Sequence, residues 1–131
     1  MASIRKTDTK PELTLRAALR SAGITGYRCH VRALPGLPDV AFTKWRLAVF
    51  VDGVWWHGHP DWLPHGRRGP YWDAKIAGNV ERDKRVDAEL AAMGWLVLRV
   101  WDIDVIRDPD SAAARVADAL GRRRAAWRQP S

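Results

Sequence analysis

Two carboxylates and an imidazole stand close together in this chain, with indoles beside them. Asp39 ends the segment Leu34-Pro-Gly-Leu-Pro-Asp, and Asp52 and His57 lie in Val51-Asp-Gly-Val-Trp-Trp-His-Gly-His. The second segment comes straight off an apolar run, Arg46-Leu-Ala-Val-Phe-Val. Carboxylates can hold a divalent cation, a His can move a proton near neutral pH, and the Trp55 and Trp56 indoles can stack on bases. Phosphodiester hydrolysis asks for such a set. A Mg²⁺ ion is usually held by one or two carboxylates, with water and phosphate oxygens completing its shell. Singly, each residue has a plainer explanation: Asp39 as turn chemistry after Pro38, Asp52 as an Asp-Gly turn residue, His57 as a surface or core His. Their joint placement at the ends of neighbouring strands favours chemistry, and in a basic chain that chemistry is cutting nucleic acid.

The basic character is marked. Lys and Arg number 22 against 15 acidic residues, giving a net charge of +7 and a pI near 10.3. Such an excess fits a polyanion partner, because cationic surface binds phosphates through counterion release. Eight Trp in 131 residues is more than a small core needs, and Trp55, Trp56, Trp62 and Trp72 lie in or near polar, turn-rich sequence. The lone Cys29 excludes an internal disulfide and any Cys-rich zinc cluster, and it suits a reducing cytoplasm. No apolar run approaches the ~20 residues of a membrane span, and nothing resembles a signal peptide. The expected location is therefore cytoplasmic, with no membrane partner.

The elements that must position these residues follow from the punctuation. Thr9-Lys-Pro-Glu12 opens a first helix that Gly23 ends. Strands are expected at Tyr27–Val31, Asp39–Thr43 and Arg46–Val51, the third apolar enough to be buried on both faces. Residues 57–70 form a loop rich in His, Pro, Gly and Arg. A long helix runs from Tyr71 to Met93 and is closed by Gly94; a fourth strand spans Trp95–Trp101; Ser111 caps a final basic helix, residues 111–128, that frays at Arg122-Arg-Arg. The order αβββαβα contains one βαβ crossover. The fold class is therefore α/β: a single domain, residues 1–131 with its core at about 8–106, built as three layers with a mixed β-sheet flanked by helices.

On the long helix, Lys75, Asn79 and Asp83 recur every fourth residue and form one polar stripe beside the apolar Ile76, Val80 and Leu90. An ordinary solvated face would account for Lys and Asp. Asn is a poor helix former, and it offers both a donor and an acceptor to base edges. Glu12 is equally two-sided: Thr9-x-x-Glu12 is a capping box, and Glu12 is also a candidate acid. Trp45, Trp95 and Trp101 read as structural.

Asp39 and Asp52 look like the acidic pair of the PD-(D/E)xK nuclease fold, with Val54 at the lysine position. More specifically, the chain resembles the very short patch repair (Vsr) endonucleases, which nick DNA at T:G mismatches. The matching segments, in family order, are Asp8-Thr-Lys-Pro-Glu-Leu, Leu34-Pro-Gly-Leu-Pro-Asp, Val49-Phe-Val-Asp-Gly-Val-Trp-Trp-His-Gly, Tyr71-Trp, Asn79-Val-Glu-Arg-Asp and Gly94-Trp-Leu-Val-Leu-Arg-Val-Trp. The resemblance implies a restriction-endonuclease-like fold. It makes Asp39 the carboxylate ligand of Mg²⁺, with the Val51 backbone carbonyl as the second protein ligand. It makes His57 the proton-transfer group in place of the lysine, Asp83 the carboxylate that orients it, and Glu12 a further acid. By the same resemblance Lys75 and Asn79 contact the mismatch. Trp55, Trp56 and Trp72 wedge into the base stack, where poor pairing lowers the cost of unstacking; Trp56 is the one most expected in the core.

The chain departs from the family in two places. Relatives carry a structural zinc on Cys and His, but the Cys positions here read Val54, Asp61 and Ile103. His59, Asp61 and His65 make a poor substitute for four good ligands, so the zinc is expected to be lost. Met1-Ala-Ser-Ile-Arg-Lys aligns partway into the family's DNA-clamping arm, which implies a weaker grip, with the basic segment Arg122–Arg128 as a phosphate-binding compensation or a solvated helix end. The leading expectation is a monomeric, Mg²⁺-dependent nickase that cuts 5′ of T in T:G mismatches in double-stranded DNA. Because such mismatches arise from deaminated 5-methylcytosine, a DNA cytosine methyltransferase is the expected companion. The alternatives are the same nickase chemistry without mismatch specificity, in defence or on a mobile element, and a catalytically silent DNA-binding module.

Overall fold

The computed structural model describes residues 9–53 and 69–128. α1 (Lys10–Ser21) begins at Thr9, whose side chain accepts the Glu12 N–H. It ends in a Schellman turn: Gly23 takes φ 76° and the Ile24 N–H returns to the Leu19 carbonyl at 2.8 Å. β1 (Val40–Phe42) and β2 (Leu47–Asp52) form an antiparallel pair with Val40 opposite Val49. α2 (Pro70–Ala92) then crosses over to β3 (Leu96–Trp101), which lies parallel to β2. The same device closes α2, with Gly94 at φ 86° and the Trp95 N–H on the Leu90 carbonyl at 2.9 Å. α3 (Asp102–Arg107) and α4 (Pro109–Arg128) complete the chain.

The sheet is mixed, with order β1-β2-β3, and helices cover both faces as expected. The period of two along β2 sorts its side chains. Leu47 and Val49 join Leu15, Leu19, Val100, Val105, Val116 and Leu120 beneath α1, α3 and α4. Ala48 and Phe50 face the opposite way, against Leu34, Val86 and Leu90 under α2. β2 is thus buried on both faces, as its unbroken apolar run requires.

Three expectations need correction. Tyr27–Val31 does not form a strand: it contributes a single bridge, Arg28 to Ala41, because Gly26 at φ 84° and His30 at φ 51° turn the backbone away on either side. Ser111 does not cap the last helix; Asp108 accepts the Ser111 N–H at 3.1 Å, and Pro109 occupies the first helical position. The basic end of that helix does not fray. Arg123 donates to the Trp45 carbonyl at 2.8 Å and the Gly94 carbonyl at 2.9 Å, and Arg124 lies over the Trp45 ring. Among the described residues no helix is long and apolar enough to cross a membrane.

The Leu34-Pro-Gly-Leu-Pro loop is pressed between two elements. A Cβ on Gly36, which has φ 75°, would stand 2.6 Å from Val86 Cγ1 and 3.2 Å from Phe50 Cε1. Gly23 has a similar φ but open space around it. Both Gly→Ala changes carry the left-handed penalty of about 1–2 kcal/mol, and Gly36→Ala adds an overpacking cost of about 1–3 kcal/mol. Urea unfolding should therefore show a larger drop in midpoint for Gly36→Ala than for Gly23→Ala. Equal drops would refute the tight contact.

Candidate active site

The loop that Gly36 seats delivers Asp39 to the open end of β2. The Val51 N–H donates to Asp39 Oδ2 at 2.7 Å, so the carboxylate is tied across the strand pair. Its other oxygen, Oδ1, lies 3.7 Å from His30 Nε2, and the same ring nitrogen is 3.0 Å from Glu12 Oε2. Glu12 sits in the first turn of α1, buried, with Arg16 Nη2 also on Oε2 at 3.3 Å. The Thr9 hydroxyl caps the Glu12 amide, as the capping box predicts, while the Glu12 carboxylate turns inward to His30 and Arg16.

Glu12, His30 and Asp39 each offer one ligand atom, and these atoms lie within 4.8 Å of one another. Burial pushes the Asp39 carboxyl up to about 7; the Val51 amide opposes the rise, and the charges of Glu12 and Asp52 add to it. A divalent cation is the partner that would offset both the burial and the like charges. Two carboxylates and an imidazole are a suitable donor set for one.

One residue along β2, Asp52 enters a second cluster. Arg99, on the adjacent strand β3, donates from Nη1 to Asp52 Oδ1 at 2.9 Å and Oδ2 at 3.2 Å. Its Nε and Nη2 meet Asp87 Oδ1 at 3.0 and 2.7 Å, and Asp83 Oδ1 is 3.7 Å from Nη1. The guanidinium lies over the Phe50 ring, 4.3 Å from its centroid. One cation thus joins the end of β2 to two successive turns of α2. These residues line a cleft of about 240 Å³ with Val80, Lys84, Val100 and Trp101.

Asp39 and Asp52 do converge at one end of the strand pair, close enough for each charge to affect the other. Their immediate partners differ, however: Glu12 and His30 for Asp39, Arg99 for Asp52. The polar stripe on α2 is real and extends beyond Lys75, Asn79 and Asp83 to Asp87. Lys75 is exposed, Asn79 and Asp83 are half-buried, and Arg82 donates to Asn79 Oδ1 at 3.3 Å. Trp72 is half-buried with Tyr71 set edge-on at 5.1 Å. Val54, Trp55, Trp56, His57, His59, Asp61 and His65 lie outside the described residues. His30 and Arg99 were not singled out from sequence. His30 reaches Asp39 only because its N–H returns to the Pro38 carbonyl at 3.0 Å, closing the intervening loop. Arg99 carried a visible signal, a lone charge inside the apolar strand Leu96-Val-Leu-Arg-Val-Trp.

Comparison with known proteins adds an independent line. The sequence pattern of the family described as DNA mismatch endonuclease Vsr matches residues 1–63. A type II nicking enzyme of Xanthomonas oryzae pv. oryzae, V.XorIIP, is 41% identical over 92% of this chain and 88% of its own length. V.NmeDIP, a type II nicking enzyme of Neisseria meningitidis serogroup C, is 40% identical over 92% of this chain and 82% of its own. The DNA mismatch endonuclease Vsr of Escherichia coli K12 is 36% identical over 78% of this chain and 66% of its own. With identity of this degree over most of its length, the chain belongs to the Vsr endonuclease family.

Proposed function

We propose that this endonuclease is a Mg²⁺-dependent nickase that cuts 5′ of T in T:G mismatches in double-stranded DNA. The observation that carries the reading is the Asp39 carboxylate, fixed by the Val51 amide and flanked by Glu12 and His30. In it, Asp39 and the Val51 carbonyl hold the cation, and Glu12 supplies a further acidic oxygen. Held there, a divalent cation would supply charge neutralisation at the scissile phosphate. His57 moves the proton, and Asp83 positions its imidazole. Asp52, through Arg99, keeps the end of β2 in register with α2. Lys75 and Asn79 read the mismatch from α2, and Trp55, Trp56 and Trp72 wedge the base stack. The protein acts as a cytoplasmic monomer without the structural zinc, alongside a DNA cytosine methyltransferase.

Several relatives bear the name type II nicking enzyme, which favours one second reading: the same chemistry applied to sites other than a T:G mismatch. Labelled duplexes, matched and carrying a central T:G, separate the two. The lead reading expects cutting beside the T only; equal cutting of both duplexes would sink it. Asp39→Asn should slow the cut by about a thousandfold, the rate equivalent of the several kcal/mol a catalytic cation supplies. His57→Ala should slow it by roughly 10²–10⁴-fold. Full cleavage by either variant would remove that residue from the mechanism.

The elevated Asp39 pKa sets the direction of the pH response. Below pH about 7 this carboxyl holds a proton that the cation must displace, and above it the carboxylate is ready. Cation affinity should therefore fall as pH drops from 8 to 6. Calorimetry in buffers of different ionisation enthalpy should register proton release at pH 6 that fades by pH 8. A pH-independent affinity would show that Asp39 is not the ligand.

A further inference from the structure

The group around Asp39 contains a donor that a magnesium site does not call for. We propose that His30 Nε2 is a direct ligand of the divalent cation at Asp39, making a mixed oxygen–nitrogen site that takes Mn²⁺ in preference to Mg²⁺. The proposal rests on the reading of Asp39 as the cation-binding carboxylate.

Geometry is the first support. The atoms concerned are Glu12 Oε2, His30 Nε2 and Asp39 Oδ1, with Nε2 at 3.0 and 3.7 Å from the two oxygens. Adjacent ligands on a cation with bonds of about 2.1 Å stand about 3 Å apart, so the three fit around one ion with small adjustments. Asp39 Oδ2 is already committed to the Val51 N–H, which leaves Oδ1 facing the group. Glu12 Oε2 already has Arg16 at 3.3 Å, so balancing its charge does not require His30.

The backbone is the second support. His30 sits at φ 51°, a left-handed conformation that costs an L-residue energy and is concentrated at functional sites. The chain is pinned two residues before it, by the paired Arg28–Ala41 hydrogen bonds at 2.8 and 2.7 Å, and at His30 itself, whose N–H donates to the Pro38 carbonyl at 3.0 Å. The ring is therefore preorganised beside two carboxylates.

Chemistry is the third. Mg²⁺ selects oxygen donors and gives up its waters reluctantly, whereas imidazole suits first-row transition ions. A nitrogen donor at the position nearest both carboxylates shifts preference toward the transition ion.

The test is Mn²⁺ binding to the DNA-free protein, followed by pulsed electron paramagnetic resonance for ¹⁴N coupling to the bound ion. Wild type should show imidazole coupling and bind Mn²⁺ more tightly than Mg²⁺ by about tenfold or more. His30→Gln should lose both the coupling and the preference. A variant with His57, His59 and His65 all changed to Gln retains His30 as its only histidine, and it should keep the coupling. Absence of coupling in wild type or in that triple variant, or its persistence in His30→Gln, would overturn the proposal. Nicking of a T:G duplex with Mn²⁺ is scored separately. Coupling without cleavage supports the ligand and removes the nickase reading; cleavage without coupling does the reverse.

Discussion

A single backbone amide organises this site. The Val51 N–H, near the end of a strand buried on both faces, donates to Asp39 and so fixes the carboxylate where water is scarce. That bond exists only because β1 and β2 are antiparallel with Val40 opposite Val49. It also requires the preceding loop to pack flat on Phe50 and Val86, which only glycine at position 36 allows. The carboxylate so placed meets His30 and lies beside Glu12 on α1, and its burial raises the Asp39 pKa against the opposing pull of the Val51 amide. Sheet register, loop packing and helix placement are thereby reduced to the position of one oxygen.

Arg99 plays the corresponding part on the other side of β2. A buried carboxylate such as Asp52 is costly unless paired and hydrogen-bonded. Arg99 supplies that pairing, and its planar fork lets it hold Asp87 and approach Asp83 at the same time. α2 is consequently docked to the sheet by charge as well as by Val86 and Leu90. The polar stripe on the helix and the C-terminal end of β2 form one connected network, so a shift of α2 would be felt at Asp52.

Much of this was legible in the sequence. The apolar run at 46–51 meant a central strand, Gly23 and Gly94 marked helix ends, and the Lys75, Asn79, Asp83 spacing gave a true helix face. What escaped were features created by chain reversal. His30 read as a strand residue because alternation says nothing about a left-handed backbone angle. Asp108-Pro109 outcompeted Ser111 as the cap because both signals are valid locally and only the preceding short helix decides between them. Arg123 looked like a solvated charge because its acceptors, the carbonyls of Trp45 and Gly94, belong to turns far away in sequence.

The charge balance of the site adds a last constraint. Glu12, Asp39, Asp52, Asp83 and Asp87 gather around the end of β2, while Arg16 and Arg99 are already engaged by carboxylates of that group. The net charge of +7 therefore does not reside in this cluster. Exposed cations lie elsewhere on the described surface, among them Arg28, Arg32, Lys44, Lys75, Arg82 and Arg85. Basic side chains of this kind can hold a phosphate backbone, whereas a cluster of carboxylates repels one. The charges suited to holding a polyanion and the carboxylates suited to holding a cation are thus separate groups in this fold.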